Sequence, residues 1–170
     1  MQTSIVIMGV AGCGKSSLGA ALARAERLRL IEGDDHHSAA SRAKMSQGIA
    51  LTDADRDGWL TRLADELRAA PEGAVLSCSA LKRAYRERLR AAAPGLRFVF
   101  LDIAREQAQR RVATREHFFS ARLVESQFAT LESPVGEPGV LRVDALEPLT
   151  HLQPQVSAWL RQSPTPSPTA

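Results

Sequence analysis

Three observations make this sequence an α/β chain with a parallel sheet covered on both faces. Short apolar runs alternate with stretches of helical spacing from end to end. The first run leads directly into Gly9-Val10-Ala11-Gly12-Cys13-Gly14-Lys15-Ser16, which fits G-x-x-x-x-G-K-[ST] and is followed by a helix-forming stretch. Polar and acidic residues gather where the runs end, at Glu32-Gly33-Asp34-Asp35, Cys78-Ser79-Ala80 and Asp102. Those are the carboxyl ends of strands, where such sheets bind ligands.

Residues 4–8 read as the first buried strand and 15–26 as the first helix. Leu28–Ile31 is a second strand that ends at the acidic Glu32-Gly33-Asp34-Asp35 turn. A polar, His-containing loop precedes a helix over 39–47, which Gly48 terminates. Thr52 is placed to cap a helix with acids in its first turn, running to about residue 70 and stopped by Pro71 and Gly73. Leu60, Leu63, Ala64 and Leu67 fall on one face of it. Residues 74–78 form the third strand, 82–92 a helix closed by Pro94-Gly95, and 96–101 the fourth strand. Helices over 104–114 and 120–132, a fifth strand over 140–143 and a helix over 149–161 complete a single domain spanning 1–162. The Ser/Pro/Thr-rich tail 163–170 is expected to be disordered.

The glycine-rich loop is a phosphate-binding P-loop by its flanks as well as its spacing. Gly9, Val10, Ala11, Gly12, Cys13 and Gly14 turn backbone N–H groups inward, and the following helix start adds partial positive charge. Lys15 reaches the β- and γ-phosphates of a nucleoside triphosphate, the Ser16 hydroxyl ligates Mg²⁺, and Ser17 completes the set.

At 170 residues, with 44% apolar content, the chain suits one domain with a true core. The net charge of +3 is small and its arginines are scattered, without a like-charged block, so nucleic acid is not the expected partner. Only three lysines occur, Lys15, Lys44 and Lys82, each within a stretch that carries a motif. The two cysteines, Cys13 and Cys78, have no metal-type spacing and read as free thiols. No apolar run approaches the roughly 20 residues of a membrane helix, and no signal-type segment opens the chain. The expectation is a cytoplasmic protein without a membrane or nucleic-acid partner. The sequence leaves the oligomeric state open, a homodimer included.

Five groups of residues bear on the chemistry. Carboxylates at Glu32, Asp34 and Asp35 stand where a phosphoryl-transfer site needs a group to orient a hydroxyl and groups to hold Mg²⁺. His36 and His37 lack a third ligand spaced for a metal, and one of them is expected to face substrate instead. Arg56 lies in a helix's first turn, which is unfavourable for a cation and calls for either a local acid, Asp53 or Asp57, or an anionic ligand. Lys82, Arg83 and Arg86 concentrate positive charge at the start of the helix after the third strand, suited to a carboxylate or phosphate. Arginines within Arg110–Arg115, between two helices, suit a lid over a transferring phosphate.

Together these motifs resemble the bacterial gluconokinases. The likeness rests on Met8–Ser16, on Glu-Gly-Asp-Asp-x-His from Glu32, on Lys-Met-Ser-x-Gly-Ile-x-Leu-Thr-Asp-x-Asp-Arg-x-x-Trp-Leu from Lys44, on Cys-Ser-Ala-Leu-Lys-Arg-x-Tyr-Arg from Cys78, and on His-Phe-x-x-x-x-Leu-x-x-Ser-Gln-Phe-x-x-Leu-Glu-x-Pro from His117. It departs from the family at Ser38 and Gly58, where proline is usual, and before His117, where a glycine is usual. The resemblance implies a nucleoside-monophosphate-kinase-like fold, with a five-stranded parallel sheet and a small helical lid at about 111–122. It implies ATP and Mg²⁺ as cofactors and transfer of phosphate from ATP to the 6-hydroxyl of D-gluconate, whose product would enter the pentose phosphate or Entner–Doudoroff routes. It places Lys15, Asp34, Arg111 and Arg115 in catalysis, Asp34, His37, Arg56, Lys82 and Arg86 on substrate, and Ser16 with Glu32 on Mg²⁺. Other readings are a shikimate or related sugar-acid kinase, and a nucleotide-binding regulator without transfer activity. The regulator leaves Asp34 and the arginine groups without a task.

Overall fold

The computed structural model describes residues 3–114 and 121–163. Five parallel strands form one sheet: β1 (Ile5–Met8), β2 (Arg29–Glu32), β3 (Ala74–Ser77), β4 (Arg97–Asp102) and β5 (Val140–Asp144), in the order β2-β3-β1-β4-β5. β1 is central, with Ile7 in register with Ser77 on one side and Val99 on the other. The P-loop therefore leaves the middle of the sheet.

The helices are α1 (Lys15–Glu26), α2 (Ala39–Ser46), α3 (Asp53–Arg68), α4 (Arg83–Ala92), α5 (Arg105–Ala113), α6 (Ala121–Thr130) and α7 (Leu149–Leu160). Side chains alternate across the strands, so each face of the sheet builds its own core. Ile5 and Ile7 pack with Leu18, Leu22, Val112, Val124 and Val156 on the face of α1, α5, α6 and α7. Val6 and Met8 pack with Trp59, Leu63, Leu67 and Leu89 on the face of α3 and α4. Arg97, buried in β4, donates to the carbonyls of Trp159, Leu160 and Gln162 and so closes the C-terminal end of α7 onto the sheet.

The element boundaries follow the sequence closely. Thr52 caps α3 in a complete capping box: its hydroxyl accepts from the Asp55 N–H and the Asp55 carboxylate accepts from the Thr52 N–H. One piece of order is new: Gly33–His36, expected as loop, is a single 3₁₀ turn. The expected tail beyond Ser163, and residues 115–120 of the expected lid segment, lie outside the described residues.

Candidate active site

The P-loop curls because Gly14, at the N-cap of α1, takes a left-handed φ of 95°. Its residues Ala11, Gly12, Gly14, Lys15, Ser16 and Ser17 form one wall of a cavity of about 220 Å³ at the carboxyl ends of the strands. Gly9, Val10 and Cys13 shape the loop from behind. Val10 and Cys13 are buried in the core below it. Lys15 Nζ lies back over the loop and donates to the Val10 carbonyl at 3.0 Å. Ser16 Oγ donates to Glu32 Oε2 at 3.1 Å, bringing together the hydroxyl and the carboxylate expected to share Mg²⁺.

The opposite wall carries Asp34, His37, Arg56 and Trp59. Gly33 makes this placement: a Cβ there would stand 2.5 Å from the Ser77 carbonyl oxygen, so only glycine lets the turn press against β3 and point Asp34 into the cleft. Trp59 Nε1 donates to the Gly33 carbonyl at 2.7 Å, and its ring stacks on His37 with centroids 4.5 Å apart. His37 Nε2 stands 3.7 Å from Asp34 Oδ1. Desolvation is the largest influence on the Asp34 carboxyl and raises its pKa. The contact with His37 and the charges of Lys15 and Arg42 together outweigh it, so Asp34 lies below its ordinary value of 3.8 and is ionised at neutral pH. Burial pushes the nearby Cys78 thiol up to about 12, which leaves it protonated and unreactive.

Arg56 is buried, at 8% exposure, and lines the cavity. Neither local acid takes it as an ion-pair partner. Asp57 pairs with Arg88 at 2.8 Å, and Asp53 with Lys82 at 3.0 Å and with the Tyr85 hydroxyl. Its hydrogen bond among the described residues is to the Tyr85 hydroxyl, at 3.4 Å.

Three expected positions lie elsewhere. Arg86 is not at the substrate wall: it is fully buried between α4 and the segment after α6. All five of its N–H groups are used, on Glu137 and on the carbonyls of Ala80, Leu81 and Glu132. It fixes the turn after β3, where Ala80 is held at a φ of 47°, an unfavourable value for a residue with a Cβ. Lys82 is outside the cavity, committed to Asp53. Arg111 belongs to α5 and grips the back of the P-loop through the carbonyls of Gly12 and Cys13, and the residue just past β5 through the Ala145 carbonyl. The sequence makes Arg111 a lid arginine over the transferring phosphate; the structure has its guanidinium on the carbonyl side of the P-loop instead. Arg115 lies outside the described residues.

Sequence reasoning missed Gln127. This residue of α6 lines the cavity, and its Oε1 accepts from the Ala11 N–H of the P-loop at 2.7 Å. A neutral amide in an amphipathic helix carries no periodic signal. Its one trace was its place in the Ser126-Gln127-Phe128 block.

A family model described as AAA domain matches residues 5–138. The chain is 46% identical over 143 residues to a gluconokinase of Gluconobacter oxydans, covering 82% of this chain and 80% of that protein. It is 40% identical over 146 residues to the thermosensitive gluconokinase of Escherichia coli, covering 83% and 78%. The crystal structure of a gluconokinase from Sinorhizobium meliloti superposes with a TM-score of 0.87 at 45% identity, over 94% of this chain and 91% of that one. Identity of this order over most of both chains, on a sheet that sets a P-loop opposite Asp34 and Arg56, means that the chain belongs to the gluconokinase family of P-loop kinases.

Proposed function

We propose that the protein transfers the γ-phosphoryl group of ATP to the 6-hydroxyl of D-gluconate, giving 6-phospho-D-gluconate and ADP. The observation that carries this reading is a single cavity lined by Lys15 and Ser16 on one wall and by Asp34 and Arg56 on the other. One wall suits polyphosphate, the other a polyol with a terminal carboxylate.

Each residue has a task that its position supports. The P-loop N–H groups and Lys15 hold the phosphates and balance charge as it moves toward the leaving ADP oxygen. Arg56 takes the gluconate carboxylate in a charge-assisted hydrogen bond, strengthened by burial. His37 and Trp59 wall the acceptor side. Asp34 accepts the hydrogen bond of the 6-hydroxyl and takes its proton as the hydroxyl oxygen bonds to phosphorus and the β–γ bridging oxygen departs with its electron pair. A carboxylate held below its ordinary pKa is a weak base, so its main contribution is orientation of the nucleophile.

The donors near the P-loop fit Mg²⁺. Ser16 Oγ and the Glu32 carboxylate are hard oxygen ligands set side by side. No group of three or more His, Cys, Asp or Glu suited to a metal occurs among the described residues. Ser16 and Glu32 would hold the ion, which would supply neutralisation of the phosphate charge.

No helix among the described residues is long and apolar enough to cross a membrane. We place the reaction in the cytoplasm, where ATP is supplied. The test is ADP release by wild type and Lys15→Ala, with and without gluconate. Gluconate-dependent release by wild type, reduced at least about a hundredfold in the variant, supports the reading. Release that ignores gluconate refutes it.

A further inference from the structure

Within the P-loop, Ala11 is the residue whose N–H is taken by a side chain among the described residues, and the acceptor is Gln127 Oε1 at 2.7 Å. This contact fixes which end of the carboxamide is which. A backbone N–H needs an acceptor, so the oxygen must face Ala11 and the NH₂ must be the other end. Nε2 has no hydrogen-bond partner among the described residues, although Gln127 lines the cavity.

The helix that carries Gln127 is well anchored. Val124 is fully buried against the core, and Glu125 pairs with Arg105 of α5 at 3.3 Å. Past its C-terminal end, the Glu132 N–H donates to the Leu81 carbonyl at 2.8 Å and Arg86 holds the Glu132 carbonyl at 2.9 Å. A side chain on so fixed an element, with one end pinned to the loop, presents its other end in one direction. A preorganised donor of this kind stabilises charge without reorganising.

We propose that Gln127 is a positioning residue for the transferring phosphoryl group: Ala11 orients its carboxamide, and its NH₂ donates to the terminal phosphate of the bound triphosphate. The role rests on the reading of the cavity as an ATP site. It does not depend on which acceptor is used. It also gives α6 a direct hand in distinguishing ATP from ADP, because ADP has no phosphate at that place.

The test compares binding of Mg²⁺–ADP and of the Mg²⁺ complex of a non-hydrolysable β,γ-imido analogue of ATP to wild type, Gln127→Met and Gln127→Glu by calorimetry. Methionine keeps the length and removes donor and acceptor. Glutamate keeps the acceptor toward Ala11 and sets negative charge where the donor was. The expected result is about tenfold weaker analogue binding in Gln127→Met, a larger loss in Gln127→Glu, and ADP binding within about twofold of wild type in both. Turnover should fall at least tenfold in Gln127→Met. Equal weakening of both nucleotides reveals a purely structural contact and overturns the proposal. Unchanged or tighter analogue binding also overturns it, by showing a side chain that phosphate merely displaces. A wild type that binds neither nucleotide fails the ATP reading itself. A wild type that binds both but does not phosphorylate gluconate fails only the choice of acceptor.

Discussion

The indole N–H of Trp59 holds the carbonyl of Gly33 at 2.7 Å, tying the first turns of α3 to the turn that presents Asp34. Gly33 and Trp59 are both buried, so this bond is made out of water. Trp59→Phe keeps a ring for His37 to stack on but leaves that carbonyl without its donor. An unsatisfied buried acceptor costs on the order of 1–3 kcal/mol. We expect a lower melting temperature and a several-fold fall in kcat with the KM for ATP nearly unchanged. A variant that loses stability with no change in kcat would separate Trp59 from the placement of Asp34.

Asp34 is the residue whose charge the acceptor wall depends on. Asp34→Asn keeps the shape but loses both the charge that orients the hydroxyl and the proton acceptor, and kcat should fall by about 10²–10⁴ while ATP binding stays close to normal. Asp35→Asn, one residue along the turn, should remain active. The pH profile follows from the depressed pKa: Asp34 stays ionised until the pH falls below 3.8, so it imposes no loss of rate between neutral pH and that point. Its contribution to stability is complete above 3.8 and is lost as the pH falls through the lower folded value. An acid limb near pH 6 that disappears in Asp34→Asn would contradict this assignment.

Arg56 carries the expected selectivity for an acid over a neutral polyol. Loss of one charge-assisted hydrogen bond costs about 1.5–3 kcal/mol, so Arg56→Ala should raise the KM for gluconate roughly tenfold to a hundredfold. The KM for ATP should hardly move. Steady-state kinetics with each substrate varied in turn checks this, and equal rises in both constants would remove Arg56 from the acceptor.

Much of this was legible in the sequence because it is local. The P-loop, the strand ends and the Thr52–Asp55 capping box are set by residues a few positions apart, and each stands where the pattern puts it. The partners of the arginines were not legible, because those contacts span long stretches of chain. Arg86 and Glu137 meet across 51 positions, and Arg111 reaches the Gly12 carbonyl across 99. A basic cluster at a helix start looks the same whether it faces a ligand or a buried carboxylate. Only the packing of the segment after α6 decides between them.

Arg86 accordingly should behave as a structural residue. Its ion pair with Glu137, at 2.6 Å, is buried on both sides. The Glu137 carboxyl feels desolvation first, which raises its pKa, but Arg86 and Arg90 outweigh that and hold it below its ordinary value. Arg86→Ala leaves Glu137 with Arg90 alone and deprives three carbonyls of their donor, at a cost of about 3 kcal/mol. Chemical denaturation should show that loss, and the fraction that folds should keep a near-normal KM for gluconate. A raised KM with undiminished stability would restore Arg86 to the substrate wall.

What defines the enzyme is its acceptor and the hydroxyl that receives phosphate. The most direct measurement incubates the protein with Mg²⁺–ATP and, in parallel, gluconate, shikimate or a neutral hexitol, and locates any phosphoester by proton–phosphorus correlation NMR. One product is expected, from gluconate, with phosphorus coupled to the protons on C6. A phosphoester at another carbon, or faster turnover of shikimate or the hexitol than of gluconate, would contradict it.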